Sequence, residues 1–353
     1  MKHYFVVNPK SGKNDKIDVI KDCVIPACEK TGVDYEIYET TCAGDGTRFV
    51  KETAAAANGE PVRFYAVGGD GTLYEIINGA YGFDNAEVAV VPKGSGNDWI
   101  RLFGDVDLFR DVEGLINGTP LPLDCIKVTT DNSEEIAINQ TSMGFDAEAC
   151  SEQGKMKAVP GAVGHVTYLL AGLYCAITRV KHDFEVEVDG VPVEGAFVQV
   201  TGCNSRWYGS GIKVAPFAMP TDHMLDFVII KRTASYPQTF KYMMLNWQVQ
   251  GTHWKSSCCE YLRGKKITCK SKNGKAKAIN VDGECHPVHE MTLELVENGL
   301  TFVVPKNSTY FADVESGLIN NEIQQTWKNK GFIKKLRTDY DPYNLIFNAK
   351  FRK

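Results

Sequence analysis

The apolar positions of the first 120 residues switch repeatedly between two periods. Short, densely apolar or alternating runs read as strands: KHYFVVN (2–8), YEIYET (35–40), VRFYAVG (62–68) and EVAVVP (87–92). Between them lie helical patterns: residues 15–31, interrupted by Pro26, then TRFVKETAAAANG (47–59) and LYEIINGA (73–80). Strands separated by helices of this length require right-handed crossovers, so the spacing predicts a mostly parallel sheet. After about Leu123 the pattern becomes β-rich. Hairpin turns are predicted at TTDNSEE (129–135), EVDGVPVE (187–194), CKSKNGKAKA (269–278) and ELVENGLTF (294–302). Helical patterns recur only around 160–178 and 235–249. The expected organisation is an α/β nucleotide-binding domain over 1–123, rejoined by about 305–330, and an antiparallel β-sandwich over 124–304. A tail over 331–353 follows.

Composition narrows the class without naming a chemistry. Of the 353 residues, 43% are hydrophobic and 24% charged, as in a soluble globular protein, and 353 residues suffice for two ordinary cores. The net charge of −5 provides no general field for nucleic acid, so any anion site must be local. The longest apolar stretch, VTYLLAGLYCAIT (166–178), is too short to cross a bilayer, and no signal-peptide pattern opens the chain. Eleven cysteines with no C-x-x-C pair suit a reduced, cytoplasmic chain with inert thiols. Residues 326–353 carry eight Lys or Arg against two Asp, with aromatics interspersed. That segment reads either as a strap packed on the first domain or as a membrane-surface contact.

Chemistry enters at three turns. In YAVGGDGTLYEIINGA (65–80) a strand stops at glycines and a helix follows at once, with Thr72 and Glu75 spaced as a capping box. Backbone N–H groups and the positive end of the helix dipole then face one crevice, a phosphate site. Asp70 would repel a phosphate unless a divalent cation lay between them. Alone, this could be a plain turn. However, VVNPKSGKN (6–14) and VVPKGSGNDW (90–99) place further small, polar turns after the first and fourth strands, on the same carboxyl edge, where ligands of open α/β sheets bind. Together they point to a triphosphate site. They form neither a Walker loop nor a G-x-G-x-x-G fingerprint. Lys13 and Lys93 are candidate cations for the phosphates, or simply solvated lysines.

On NPKSG (8–12), GGDGTLYEIING (68–79), VPKGSGNDWIR (91–101), LDCIKV (123–128), INQTSMGFDAE (138–148), the block 203–230 and NVDGEC (280–285), the sequence resembles the diacylglycerol kinase catalytic family. That family includes bacterial lipid kinases and the sphingosine and ceramide kinases. The resemblance implies an NAD kinase-like α/β domain, a β-sandwich domain and a cleft between them. It also implies Mg²⁺- and ATP-dependent phosphorylation of a lipid hydroxyl. Asn8, Pro9, Lys10, Ser11, Gly12, Thr40, Gly69, Asp70, Gly71, Thr72, Leu73, Tyr74, Glu75 and Ser95 would surround ATP. Asp70 would organise the catalytic magnesium, with Asp98 and Asp124 in the charged network near the transferred phosphate and Glu284 as base. A second, structural magnesium would lie at Met219, Asp222 and Met224. Only Asp222 offers a side-chain carboxylate there, and Asp222-His223 stands where the family has Asp-Gly.

Rival readings are an NAD kinase, which shares GGDGT, and a nucleotide- or lipid-binding regulator without catalysis. NPKSG and GSGND argue against the first. The presence of all four expected acids argues against the second. No histidine is assigned as a ligand, and Cys285 lacks the partners of a nucleophile. The run 263–278 holds seven cations, which suits a solvated hairpin or a weak attraction to anionic membrane. The expected partner is a lipid taken from a membrane surface by peripheral contact, with no nucleic acid. A homodimer stays open, as does the identity of the lipid.

Overall fold

The computed structural model describes residues 1–12, 17–94, 96–157, 174–175, 181–232, 251–255 and 258–321. Strands β1 (Lys2–Val7), β2 (Tyr35–Glu39), β3 (Val62–Gly68) and β4 (Ala86–Pro92) pair in parallel in the order β2-β1-β3-β4. Helices α1 (Ile25–Thr31), α2 (Asp45–Ala56) and α3 (Asp70–Ala80) supply the crossovers. Every residue of β3 is buried, as expected for a parallel strand covered on both faces. Pro26 falls in the first turn of α1, where its missing N–H has no partner to lose, and a π-helical turn, Ile20–Val24, precedes it. Short helices α4 (Val106–Arg110) and α5 (Val112–Ile116), each N-capped by an aspartate, lead out of this layer.

The second region is antiparallel. It comprises β5 (Thr119–Thr130), β6 (Glu134–Ala137), β7 (Gln140–Gly144), β8 (Phe184–Val188), β9 (Val191–Pro192), β10 (Phe197–Cys203), β11 (Leu225–Lys231) and β12 (Cys259–Gly264). It closes with β13 (Lys266–Ser271), β14 (Lys277–Val281), β15 (Glu284–Val288) and β16 (Glu290–Val304). Helix α6 (Phe145–Lys157) follows β7, and α7 (Tyr310–Glu315) follows β16. A six-stranded sheet, β12-β11-β10-β7-β14-β15, faces the continuation of the larger sheet. Phe184, Val186, Val200, Phe227, Ile267 and Leu293 fill the space between them.

The two regions share their longest strands. Strand β16 pairs in parallel with β4 at Thr301 and Phe302, and antiparallel with β5 along nearly its whole length. The expected change of texture at 123/124 therefore falls inside β5.

Two predicted hairpins prove to be something else. CKSKNGKAKA carries the chain from β13 in the larger sheet to β14 in the smaller one, so its ends do not pair. ELVENGLTF lies within the single strand β16, where its register with β5 shifts between Val296 and Leu300 and Asn298 adopts φ 51°. Asparagine and glycine meet the same need for positive φ in a bulge as in a hairpin turn. The turns at 129–135 and 187–194 do close hairpins. The helical patterns at 160–178 and 235–249 lie almost wholly outside the described residues, and residues 322–353 lie entirely outside them.

Candidate functional site

The three polar turns meet at one sheet edge. The amides of Lys93 and Gly94 donate to the Gly68 carbonyl at 2.7 and 3.2 Å, joining the turns after β3 and β4. Gly94 lies so close to Gly69 that an added Cβ would stand 2.5 Å from its Cα. At Gly12, φ is +66° and a Cβ would stand 2.7 Å from the Lys93 carbonyl oxygen. These approaches need glycine. The turn after β1 is closed by the Lys10 and Ser11 amides, which donate to the Asn8 side chain and carbonyl.

A cleft of about 550 Å³ opens over these turns. Asn8, Lys10, Ser11, Thr40, Gly69, Gly71, Thr72, Tyr74 and Glu75 line it from the α/β side, and Glu135, Glu284 and His286 from the sandwich. Pro9 and Gly12 belong to the turn without lining the cleft, while Leu73 faces a second cavity. Ser95 and Lys13 lie outside the described residues.

The expected capping box at Thr72 and Glu75 is not formed. Helix α3 starts at Asp70 with Gly69 as its N-cap and no side-chain cap. With no side chain over it, the helix start faces the cleft through Gly71, while the Thr72 amide turns back to the Gly69 carbonyl at 3.0 Å. Glu75 instead accepts from the Gly44 and Gly46 amides, at 2.9 Å each, and so caps α2. Replacing Glu75 by alanine should cost about 1–2 kcal/mol, measured as a lower denaturation midpoint at unchanged slope. An unchanged midpoint would remove Glu75 as the cap.

A second cavity, of about 360 Å³, adjoins the same helix end. Asp70, Asp98, Asp146 and Asp282 contribute to its wall, as do Leu73, Tyr74 and Gln140. Tyr74 lines both spaces and donates to Glu135 at 2.7 Å. Asp70 accepts from the Asn97 amide at 3.0 Å and the Asp98 amide at 3.2 Å, which holds the turn after β4. Burial, and then the neighbouring Asp98 carboxylate, push the Asp70 carboxyl up to about 6. Asp98 is raised chiefly by burial; it accepts from the Ser210 amide at 2.7 Å and from Arg101 Nε at 3.1 Å. Two crowded carboxylates beside a helix N-terminus have the donor chemistry for a hard divalent cation, which would relieve both. Asp70 and Asp98 thus fit a catalytic metal.

Glu284 leaves the β14–β15 turn, where Asp282 and Gly283 take φ 49° and 105°. A Cβ added to Gly71 would lie 3.0 Å from Glu284 Oε1, so this carboxylate abuts the start of α3. The residue is solvent-accessible. Even so, the cleft walls and then Glu75 and Glu135 raise its carboxyl above the ordinary range. Asp282, which the motif reading passed over, accepts from the Ile138 and Gln140 amides at 2.8 Å and fixes that hairpin against β7.

Asp124 is not brought to either cavity. It is fully buried and accepts from the His223 amide at 2.7 Å and the Asn298 amide at 3.0 Å; His223 Nδ1 lies 3.0 Å away. Its expected place near a transferred phosphate is corrected to a clasp between β5, the 220–224 loop and the β16 bulge.

The structural metal set does not fit either. Asp222 is taken up by Arg263 and Asn321, and its second oxygen accepts from the Met224 amide. The Arg263 side chain is wholly buried and also reaches Asp226 at 3.0 Å. A fixed guanidinium therefore already holds the position of the cation. Among the described residues, no group of three or more His, Cys, Asp and Glu could hold a metal. Arg263 also leaves the supposed cationic hairpin, in which Lys265, Lys266 and Lys270 pair with Glu297, Glu294 and Glu290 of β16.

The motif reading missed Glu135, Gln140, Asp146, Asp282 and His286. Gln140 and Asp146 stand inside the quoted block INQTSMGFDAE, which was the available signal.

Comparison with known proteins follows the same division. Residues 2–128 match the diacylglycerol kinase catalytic domain, and residues 139–304 match the YegS C-terminal NAD kinase beta sandwich-like domain. A diacylglycerol kinase of Bacillus subtilis is 27% identical over 287 residues, covering 79% of this chain and 88% of the relative. A diacylglycerol kinase of Staphylococcus carnosus is 27% identical over 283 residues, covering 79% and 87%. The crystal structure of a diacylglycerol kinase from Bacillus anthracis superposes with a TM-score of 0.61 at 18% identity, over 86% of this chain and 96% of that one, a likeness of fold. With both domains matched in order around one cleft, the chain belongs to the diacylglycerol kinase catalytic-domain family.

Proposed function

We propose that the protein is a lipid kinase that transfers the γ-phosphoryl group of ATP, as its magnesium complex, to a lipid hydroxyl. The observation that carries this reading is the junction of the two cavities at the start of α3. Asp70 lines one, Glu284 lines the other, and Tyr74 borders both. The nucleotide's phosphates fit the larger cleft, over the three turns and the uncapped helix end. The acceptor fits the smaller cavity.

Phosphoryl transfer depends on alignment and charge neutralisation more than on covalent chemistry. Magnesium, when bound, would neutralise phosphate oxygens beside Asp70 and Asp98. Glu284 would take the hydroxyl proton; its raised carboxyl lies closer to neutral pH than an ordinary glutamate, which favours proton transfer. A phosphorylated lipid, ADP and a proton result. Among the described residues no helix is long and apolar enough to cross a membrane. In this reading the acceptor is a lipid drawn from a membrane surface by peripheral contact.

The test is labelled ATP with a panel of lipid alcohols in mixed micelles, with free NAD as control. Label in lipid is expected, and label in NAD alone would overturn the reading. Glu284→Gln should retain ATP affinity and lose at least tenfold in turnover, within the ~10²–10⁴-fold range of a general base. Turnover near that of the parent would remove Glu284 from the role.

A further inference from the structure

Composition alone suits inert thiols, and seven of the eleven cysteines are indeed buried. Cys150 and Cys285 keep some exposure, and the fold brings them together. Cys150 lies on α6 and Cys285 on β15, directly after Glu284. Cys150 Sγ stands 3.7 Å from the Gly283 carbonyl oxygen. Cys285 Sγ stands 4.0 Å from that same oxygen and 3.9 Å from the carbonyl oxygen of Ala147 on α6. The Cys285 thiol also hydrogen-bonds Cys150. Cys150 lines the smaller cavity, which gives a small oxidant a route to the pair. The hydrogen bond to Cys150, then burial, then the charges of Cys150, Asp146 and Glu284 raise the Cys285 thiol. Cys285 therefore holds its proton, and Cys150 is the sulfur placed to react first as a thiolate. Successive side chains of a strand point to opposite faces. Glu284 accordingly abuts Gly71 at the start of α3, while Cys285 abuts α6. A bond that draws Cys285 toward α6 draws Glu284 away from α3.

We propose that Cys150 and Cys285 are an oxidative modification site, a thiol pair that a hydroperoxide closes into a disulfide, and that closure withdraws Glu284 from the start of α3. The effect on turnover rests on the lipid-kinase reading; the bond itself does not. With hydrogen peroxide, Cys150 Sγ attacks one oxygen, the O–O bond breaks, and the sulfur becomes a sulfenic acid as water leaves. Cys285 Sγ then displaces the hydroxyl from that sulfur, which forms the S–S bond and a second water. Both sulfurs are oxidised, both peroxide oxygens are reduced, and the two thiol hydrogens leave in the water. A thiol reductant reopens the bond by exchange.

The experiment treats the reduced full-length protein with limiting hydrogen peroxide, then maps its peptides by mass and measures lipid phosphorylation. A cross-linked peptide pair joining Cys150 to Cys285, lighter by two hydrogens, is expected. Turnover should fall with it by at least ~10-fold, toward the ~10²–10⁴-fold contribution of a general base, and dithiothreitol should restore it. Cys285→Ser and Cys150→Ala, each compared with its own untreated form, should form no such pair and keep their turnover through the treatment. If these two cysteines stay unlinked while peroxide oxidises others, the site is overturned. A link that leaves turnover unchanged overturns the withdrawal of Glu284. Loss of turnover in both variants would place the effect at another thiol, such as Cys42 in the nucleotide cleft, and overturn it equally. If the reduced protein phosphorylates no lipid, the kinase reading fails, and the peptide map still decides the thiol pair.

Discussion

Asp70→Ala should lower phosphoryl transfer by about 10²–10³-fold, the loss typical of removing one preorganised electrostatic group from a transition state. The carboxylate lies at the start of α3, accepts from two backbone amides of the turn after β4, and is pushed up to about 6 by burial and by Asp98. A cation bound there would be attracted by both acids and repelled by the Arg101 guanidinium on Asp98 and by the helix dipole, which in turn favours the phosphates. Alanine removes the cation's ligand and also frees the Asn97 and Asp98 amides. Asp70→Asn separates these effects in part, because asparagine carries no charge but keeps one acceptor oxygen, enough for one of the two amides that Asp70 holds. Both variants should lose the magnesium dependence of nucleotide affinity by titration calorimetry, and Asp70→Asn should melt no lower than Asp70→Ala. If either turned over at the parental rate, Asp70 would have no part in the reaction.

Arg263→Ala should be the most destabilising single change away from the cleft. The guanidinium is buried between Asp222 and Asp226, and Tyr261 donates to Asp226 at 2.6 Å. Removing one partner of a buried ion pair costs about 3–5 kcal/mol because uncompensated charge remains. In a chain of this size the melting temperature should fall by on the order of 10 °C. Neutralising the whole cluster with Arg263→Met, Asp222→Asn and Asp226→Asn should restore much of the loss. Since the cation is part of the chain, a chelator should leave the melting temperature of the nucleotide-free protein unchanged. A chelator that reproduced the Arg263→Ala loss would show instead that a metal sits beside Asp222.

Local chemistry was legible wherever its requirement was local. The inner strands β3 and β4 announce themselves because strands buried on both faces must be largely apolar, and β3 is buried at every residue; the edge strand β2, with no buried residue, is legible only from its alternation. The phosphate-suited turns are legible because close backbone approach needs glycine, and Gly12 and Gly94 do approach their neighbours that closely. The same logic failed where one local signal serves several partners. Asn-Gly at 273–274 crosses between sheets and Asn-Gly at 298–299 bulges a strand, although both satisfy the rule for a hairpin turn. Glu75 has the spacing to cap its own helix and caps another. Arg263 sits in a run of surface lysines and is wholly buried.

The amino-acid order by itself determined the alternation of strands and helices, the glycine turns at one sheet edge and the acids that could serve a phosphate-bound cation. Periodicity, conformational freedom and side-chain charge are properties each residue carries wherever the chain goes. Only the tertiary structure decided that Asp124 holds a bulge, that Arg263 neutralises Asp222, and that Gln140 and Asp146 wall a cavity beside Asp70. Those roles depend on which distant segments are pressed together and how far water is excluded from between them. Both are set by packing, through contacts between residues 41 to 174 positions apart in sequence.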